Sequence, residues 1–150
     1  MADAATTIAA NLAHVRERIA RAAQRAGRRA EEITIVAVTK THPAEMIVAA
    51  YQAGLRHFGE NRVQEFESKT PALTNLTAIW HLIGHLQSNK AARAARLFNR
   101  VDSIDSLALA QRLDAAAAAE NKQLGVLLEV HLSGEATKSG VAETELPALA

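Results

Sequence analysis

The 150-residue chain contains no cysteine, which excludes a disulfide framework, a zinc site with cysteine ligands and a thiol nucleophile. Aromatic residues make up only 3% of the sequence, so we expect a core built mainly from alanine, leucine, isoleucine and valine. The net charge of +1 gives no general reason to expect nucleic acid as a partner.

Long apolar runs are also missing from the sequence. No stretch approaches the length of a membrane span, so no membrane partner is expected. The N-terminus carries Asp3 and lacks the apolar segment of a signal peptide, which is typical of a cytoplasmic protein. No linker or internal repeat is visible, so residues 1–150 are expected to form a single domain.

The most informative stretch is the β-branched, apolar run of residues 33–38, which leads directly to Lys40. It predicts a strand of a parallel sheet that is buried on both faces, and Pro43 suits the first turn of the next helix. A lysine at the carboxyl end of such a strand lies where α/β folds keep their active sites. Desolvation by apolar neighbours would favour the neutral amine, which can form a Schiff base. A lysine that only marks the strand's exit to solvent would fit the same position.

The rest of the chain alternates between strand and helix patterns after a first helix at residues 3–26. The predicted strands are 33–40, 55–58, 78–83, 100–104 and 124–132. The predicted helices between them are 43–53, 61–69, 89–98 and one that is capped by Asp105 or Ser106 and runs to about residue 120. This order predicts an α/β fold with parallel strands and right-handed crossovers.

The short repeat of this alternation is typical of a (β/α)8 TIM barrel. About five of the eight units are present, so we expect residues 1–150 to be the N-terminal part of such a barrel. An open five-stranded sheet is the alternative.

Polar side chains follow the predicted strands at the same edge of the sheet. They are Lys40, Asn61, His85, Asp102 with Ser103, and Ser133. The carboxyl ends of parallel strands meet at one rim, so the pattern indicates a shared site, although ordinary turn chemistry can produce it too.

Two other patterns suggest sites that we do not expect. His81 and His85 would be about 13 Å apart on an extended strand at ~3.3 Å per residue, too far for one zinc ion, so we expect no metal site and place His81 in the barrel interior. The loop at 134–140 lacks the GxxxxGK[ST] order of a phosphate-binding loop, which argues against a nucleotide triphosphatase.

Five blocks of the sequence occur in the order found in one known family. They are residues 36–41 (VAVTKT), 58–65 (FGENRVQE), 80–90 (WHLIGHLQSNK), 101–105 (VDSID) and 133–140 (SGEATKSG). Together they closely resemble the YggS/PROSC-type pyridoxal phosphate homeostasis proteins.

This resemblance implies a barrel of the alanine racemase N-terminal type (fold type III) and pyridoxal 5′-phosphate (PLP) held as a Schiff base on Lys40. With the rim pattern, it makes Lys40, Asn61, His85 and Ser133 the expected cofactor-binding residues. The family is thought to carry or deliver PLP, with apo-PLP enzymes as acceptors, and is not established as an enzyme. We therefore assign no catalytic residue. We also expect a monomer. A PLP-dependent racemase-like enzyme is the alternative.

The sequence also departs from the family in two respects. The family usually has asparagine in the fifth strand where this chain has His131, which puts the role of that position in doubt. Family members also run past residue 150, and the resemblance implies that their last strands supply the phosphate cradle and the partner of the pyridine nitrogen. We therefore expect that this chain carries Lys40 without much of the pocket.

Overall fold

The computed structural model describes residues 2–132 and 140–149, with side chains from residue 5 onward. Five strands form one parallel sheet in which each strand pairs with the next strand along the chain. These strands are β1 (Val36–Val38), β2 (His57–Glu60), β3 (Ile79–Leu82), β4 (Arg100–Ile104) and β5 (Gly125–Leu128). The α-helices are α1 (Ala2–Arg25), α2 (Ala44–Gln52), α3 (Val63–Lys69), α4 (Ala91–Leu97), α5 (Leu107–Ala119) and α6 (Leu146–Leu149). The alternation of parallel strands and helices confirms the predicted α/β class.

The predicted fifth strand, residues 124–132, is divided in the structure. After β5, the chain continues as β6 (Val130–His131), which pairs in parallel with β7 (Val141–Ala142) in a separate two-stranded sheet. Glu129 joins the two sheets, because its N–H donates to the carbonyl of Ile104 and its own carbonyl accepts from the N–H of Val141, each at 2.8 Å.

The first strand is much shorter than residues 33–40. The ladder starts where Val36 pairs with His57, so residues 33–35 precede the first paired position of the neighbouring strand. The second strand begins two residues later than predicted, because Leu55 still belongs to the turn after Gly54, which has a φ of +98°. The start of the first strand depends on strand pairing, which the pattern within one segment does not show.

One face of the sheet packs against the helices and carries the core. The register partners Phe58 and Trp80 contact each other on this face, Trp80 also contacts Phe66 of α3, and Phe66 contacts Phe98 after α4. Neighbouring ring centroids are 4.7 to 5.2 Å apart. Four of the chain's five Phe, Trp and Tyr residues therefore form one cluster, and the core is less aliphatic at its centre than the composition suggests.

The opposite face of the sheet is more open. Val36 and Ile83 lie on it, since a Cβ added to Gly59 would contact both side chains, and Val38 is 48% exposed. In a closed (β/α)8 barrel this face would point to the interior. Among the described residues, no helix combines the length and apolar character needed to cross a membrane.

Candidate functional site

Lys40 lies in the turn directly after β1, at the carboxyl edge of the sheet. The N–H of Thr39 still bonds to the carbonyl of Gly59 at 2.9 Å, so the chain stays attached to β2 up to this point. The Lys40 side chain is exposed, and no hydrogen bond or ion pair with a described residue holds its amine. The expected desolvation of this amine is therefore wrong, because β1 is short and lies at an edge of the sheet.

Three charged residues behind this turn form a compact group, which we call the α3 cluster: Glu60, Glu65 and Lys69. The Lys69 ammonium lies 2.9 and 3.2 Å from the two carboxylate oxygens of Glu60 and 2.8 Å from Glu65 Oε1. The Glu60 side chain has no exposed surface, and that of Lys69 is 11% exposed. The cluster is therefore a nearly buried ion network with one cation between two carboxylates.

The electrostatics of the α3 cluster favour the charged forms of Glu65 and Lys69. Hydrogen bonds from Lys69 and from the N–H of Thr41 lower the pKa of Glu65. Burial by itself lowers the pKa of Lys69, but its hydrogen bonds to Glu65 and Glu60 outweigh burial and raise the pKa overall. Lys69 is therefore a protonated, fully engaged amine and a poor nucleophile.

Asn61 and His85 meet at the rim beyond β2 and β3. Both line an open cleft of about 650 Å³, together with Arg62, Gln64 and Lys90. The lining of this cleft does not include Lys40. The structure thus brings two of the predicted cofactor-binding residues together and places the lysine separately, after the neighbouring strand.

Asp102 and Ser103 are not rim residues, contrary to the sequence-based expectation. Both lie within β4, where Ser103 is buried and donates to the carbonyl of Gly84 at 2.7 Å. The residue that β4 contributes to the rim is Asp105, whose Oδ2 lies 3.0 Å from His85 Nδ1.

Asp102 instead belongs to a chain of polar side chains across the open face of the sheet. His57 Nδ1 lies 3.0 Å from His81 Nε2, and His81 Nδ1 lies 2.7 Å from Asp102 Oδ2. Arg100 Nε lies 3.5 Å from the other oxygen of Asp102. Burial, followed by the charges of His81 and Arg100, lowers the pKa of His57. His81 is only 4% exposed, as expected for an interior residue.

Sequence reasoning missed the α3 cluster, Asp105 and the partners of His81. The spacing of Glu65 and Lys69 by four residues was a visible signal, but it is more typical of an exposed helix pair. Ser133, the fourth predicted cofactor-binding residue, lies outside the described residues. No group of three or more potential metal ligands occurs among the residues that the structure describes.

Comparisons with known proteins agree with this architecture. A pyridoxal phosphate homeostasis protein of Pseudomonas aeruginosa is 48% identical over 145 residues, which are 97% of this chain and 63% of that protein. The structure of PipY from Synechococcus elongatus PCC7942 with PLP bound has a TM-score of 0.77 at 40% identity and covers 95% of this chain and 63% of its own. The chain thus spans slightly less than two thirds of these relatives.

A more distant likeness supports the fold alone. Alanine racemase from Bartonella henselae, solved with covalently bound PLP, has a TM-score of 0.65 at 16% identity and covers 97% of this chain and 38% of that enzyme. The family profile described as "Alanine racemase, N-terminal domain" matches residues 10–150. The resemblance predicted from the motifs is confirmed, and the chain belongs to the family of the alanine racemase N-terminal domain.

Proposed function

We propose that this chain binds PLP as a Schiff base on Lys40. The observation that carries the proposal is the exposed amine of Lys40, which has no partner among the described residues and lies at the carboxyl edge of a parallel sheet in this family's fold. Condensation of this amine with the aldehyde of the cofactor would form one C=N bond and release one water. PipY, a relative at 40% identity, has a structure with PLP bound.

The surrounding residues fit the rest of such a ligand in their chemistry. Asn61 and His85 offer uncharged or titratable hydrogen-bonding groups, and Arg62 and Lys90 bring positive charge to the same cleft. We propose Asn61, His85 and Ser133 as further cofactor contacts. A phosphate group usually needs such cations or several backbone N–H donors.

We further propose that the whole protein serves in intracellular PLP homeostasis, in the cytoplasm and as a monomer, with apo-PLP enzymes as acceptors. The name of the Pseudomonas aeruginosa relative supports this role. In this proposal residues 1–150 form one domain, which corresponds to the N-terminal part of a (β/α)8 barrel. The five parallel strands in sequential order support this correspondence.

The test is chemical labelling of the purified chain. After incubation with PLP, borohydride reduces the C=N bond and fixes the pyridoxyl group on the lysine that carries it. Peptide mass spectrometry should then find the label on Lys40 and lose it in Lys40→Ala. Label on Lys90 or Lys138 instead, at the same PLP concentration, would contradict the assignment.

A further inference from the structure

The backbone before Lys40 is tied to the α3 cluster. The Lys69 ammonium donates to the carbonyl of Thr39 at 3.0 Å, and the hydroxyl of Thr39 donates to Glu60 Oε1 at 2.7 Å. Thr39 is itself only 6% exposed. The residue immediately before Lys40 is therefore fixed through both its backbone and its side chain.

The backbone after Lys40 is tied to the same cluster. The N–H of Thr41 donates to Glu65 Oε1 at 2.6 Å, a short bond of the charge-assisted kind. Thr41 has a φ of +64°, in the left-handed region. For a β-branched residue such a conformation costs about 1–3 kcal/mol and persists only where the surroundings enforce it. The bond to Glu65 is part of that enforcement, so the turn keeps a shape that it would not adopt alone.

Stability alone does not account for the α3 cluster. Taking charges out of water costs several kcal/mol per ion, and apolar residues of similar volume often replace buried ion pairs without loss of stability. Here the carboxylates and the ammonium form hydrogen bonds with each other and with Thr39 and Thr41. Lys40, between these two residues, has no such bond. The cluster thus holds the base of the lysine still and leaves its side chain free.

We propose that Glu60, Glu65 and Lys69 are positioning residues, which fix the backbone around Lys40 and so direct its amine toward PLP. This inference rests on the proposed function and adds the means by which the amine is oriented. A reacting group held in a productive direction gains effective concentration, and a misplacement of about 1 Å can cost on the order of a hundredfold in rate.

The test replaces one partly buried lysine and uses another as its control. Lys69→Met removes the ammonium and keeps most of the side-chain volume. Lys122 is a matched lysine: burial lowers its pKa, and its amine donates to the carbonyls of Ala95 and Phe98 at the end of α4, away from the rim. Lys122→Met therefore removes an ammonium that donates to backbone carbonyls, without touching the turn at Lys40. Circular dichroism at the working temperature confirms that both variants are folded.

Two measurements on the parent and both variants decide the question. Visible absorbance after mixing with PLP gives the rate and the apparent Kd of Schiff-base formation, and amide hydrogen exchange of the PLP-free chain reports the turn at residues 39–41. We expect Lys69→Met to form the Schiff base on the order of tenfold to a hundredfold more slowly than Lys122→Met, with faster exchange in that turn only.

The outcomes separate this inference from the proposed function. If the parent is labelled at Lys40 but Lys69→Met reacts as fast as Lys122→Met, positioning is overturned and PLP binding stands. If the label in the parent lies elsewhere, the proposed function falls and this inference with it. Label on Lys69 itself would also overturn positioning.

A second variant covers the case in which Lys69→Met does not fold. Glu65→Gln keeps the shape of the side chain and an oxygen for the N–H of Thr41, but removes the charge that strengthens this bond. It should slow Schiff-base formation in the same direction and to a smaller extent. A rate equal to that of the parent would contradict the role of Glu65.

Discussion

Gly84 offers a sharp test of how tightly the rim is packed. A Cβ added to this residue would lie 2.3 Å from the carbonyl oxygen of Asn61, 2.9 Å from its Cα and 3.0 Å from its carbonyl carbon. Even close carbon–oxygen contacts are about 3.3 Å, so Gly84→Ala requires a displacement of roughly 1 Å. The opposing atoms are backbone and cannot rotate away. Gly84 does not have a positive φ, so the expected cost arises from this contact alone.

The structure also limits how Gly84 can move away. Its carbonyl accepts the hydroxyl of the buried Ser103 at 2.7 Å, and a retreat from Asn61 would stretch that bond. Overpacking costs about 1–3 kcal/mol and a lost hydrogen bond about 1 kcal/mol more, so we expect Gly84→Ala to lose about 3 kcal/mol. For a chain of this size that corresponds to a Tm lower by about 6–12 °C.

Gly59→Ala is the matched control for this substitution. The three atoms nearest to its added Cβ are side-chain methyl groups rather than backbone atoms, two of Ile83 at 3.1 and 3.3 Å and one of Val36 at 3.2 Å. Thermal unfolding of the two variants, followed by circular dichroism, compares an added Cβ that meets backbone atoms with one that meets side-chain methyl groups. If the Tm of Gly84→Ala lies within about 2 °C of that of Gly59→Ala, the described contact between Gly84 and Asn61 is refuted.

Two further predictions concern titration and turnover. Burial, with the charges of His81 and Arg100, lowers the pKa of His57 below 6.5, so the unfolded chain binds a proton at higher pH than the folded one. The free energy of unfolding should fall as pH drops through 6.5; urea unfolding between about pH 8 and about pH 5 should show a smaller fall in His57→Gln, and equal slopes would contradict the argument. We also expect no racemase turnover. Racemisation needs one acid/base group on each face of the cofactor, so Lys40 would need a second group opposite it. The only tyrosine that could serve, Tyr51, lies in α2 rather than at a strand end. Exchange of the alanine α-proton in heavy water above the rate of free PLP, lost in Lys40→Ala, would show the opposite.

The parts of the fold that sequence predicted well are those with strong local signals. The bounds of the first helix were predicted to within one residue, and those of β4 were predicted correctly. Ser106 caps α5 as expected, since its side chain accepts a hydrogen bond from the N–H of Leu109. These features depend on periodicity and on capping, which are properties of one segment. The limits of β1 depend instead on which residues of β2 lie opposite, and a single sequence does not contain that information.

The place of Lys40 in the fold was predicted, but its surroundings were not. Lys40 does follow the first strand, yet its exposure is a property of the sheet edge. Asp102 was misplaced because it lies within β4, which continues to Ile104, and it contacts His81 on the open face. β4 also shifts its pairing register with β5 between Val101 and Ile104. No glycine or proline in β4 indicates this irregularity. The burial of Lys69 likewise depends on Glu60, which lies on a different element.

The sequential strand order has a consequence for how the chain reaches this structure. Every pairing in the main sheet joins residues 19 to 25 positions apart, from His81 with Arg100 to Arg100 with Gly125. Each loop closure among these five strands therefore costs a similar entropy. Folding can start at any adjacent pair and spread unit by unit, as in repeat proteins, so that each strand can join the sheet soon after it leaves the ribosome.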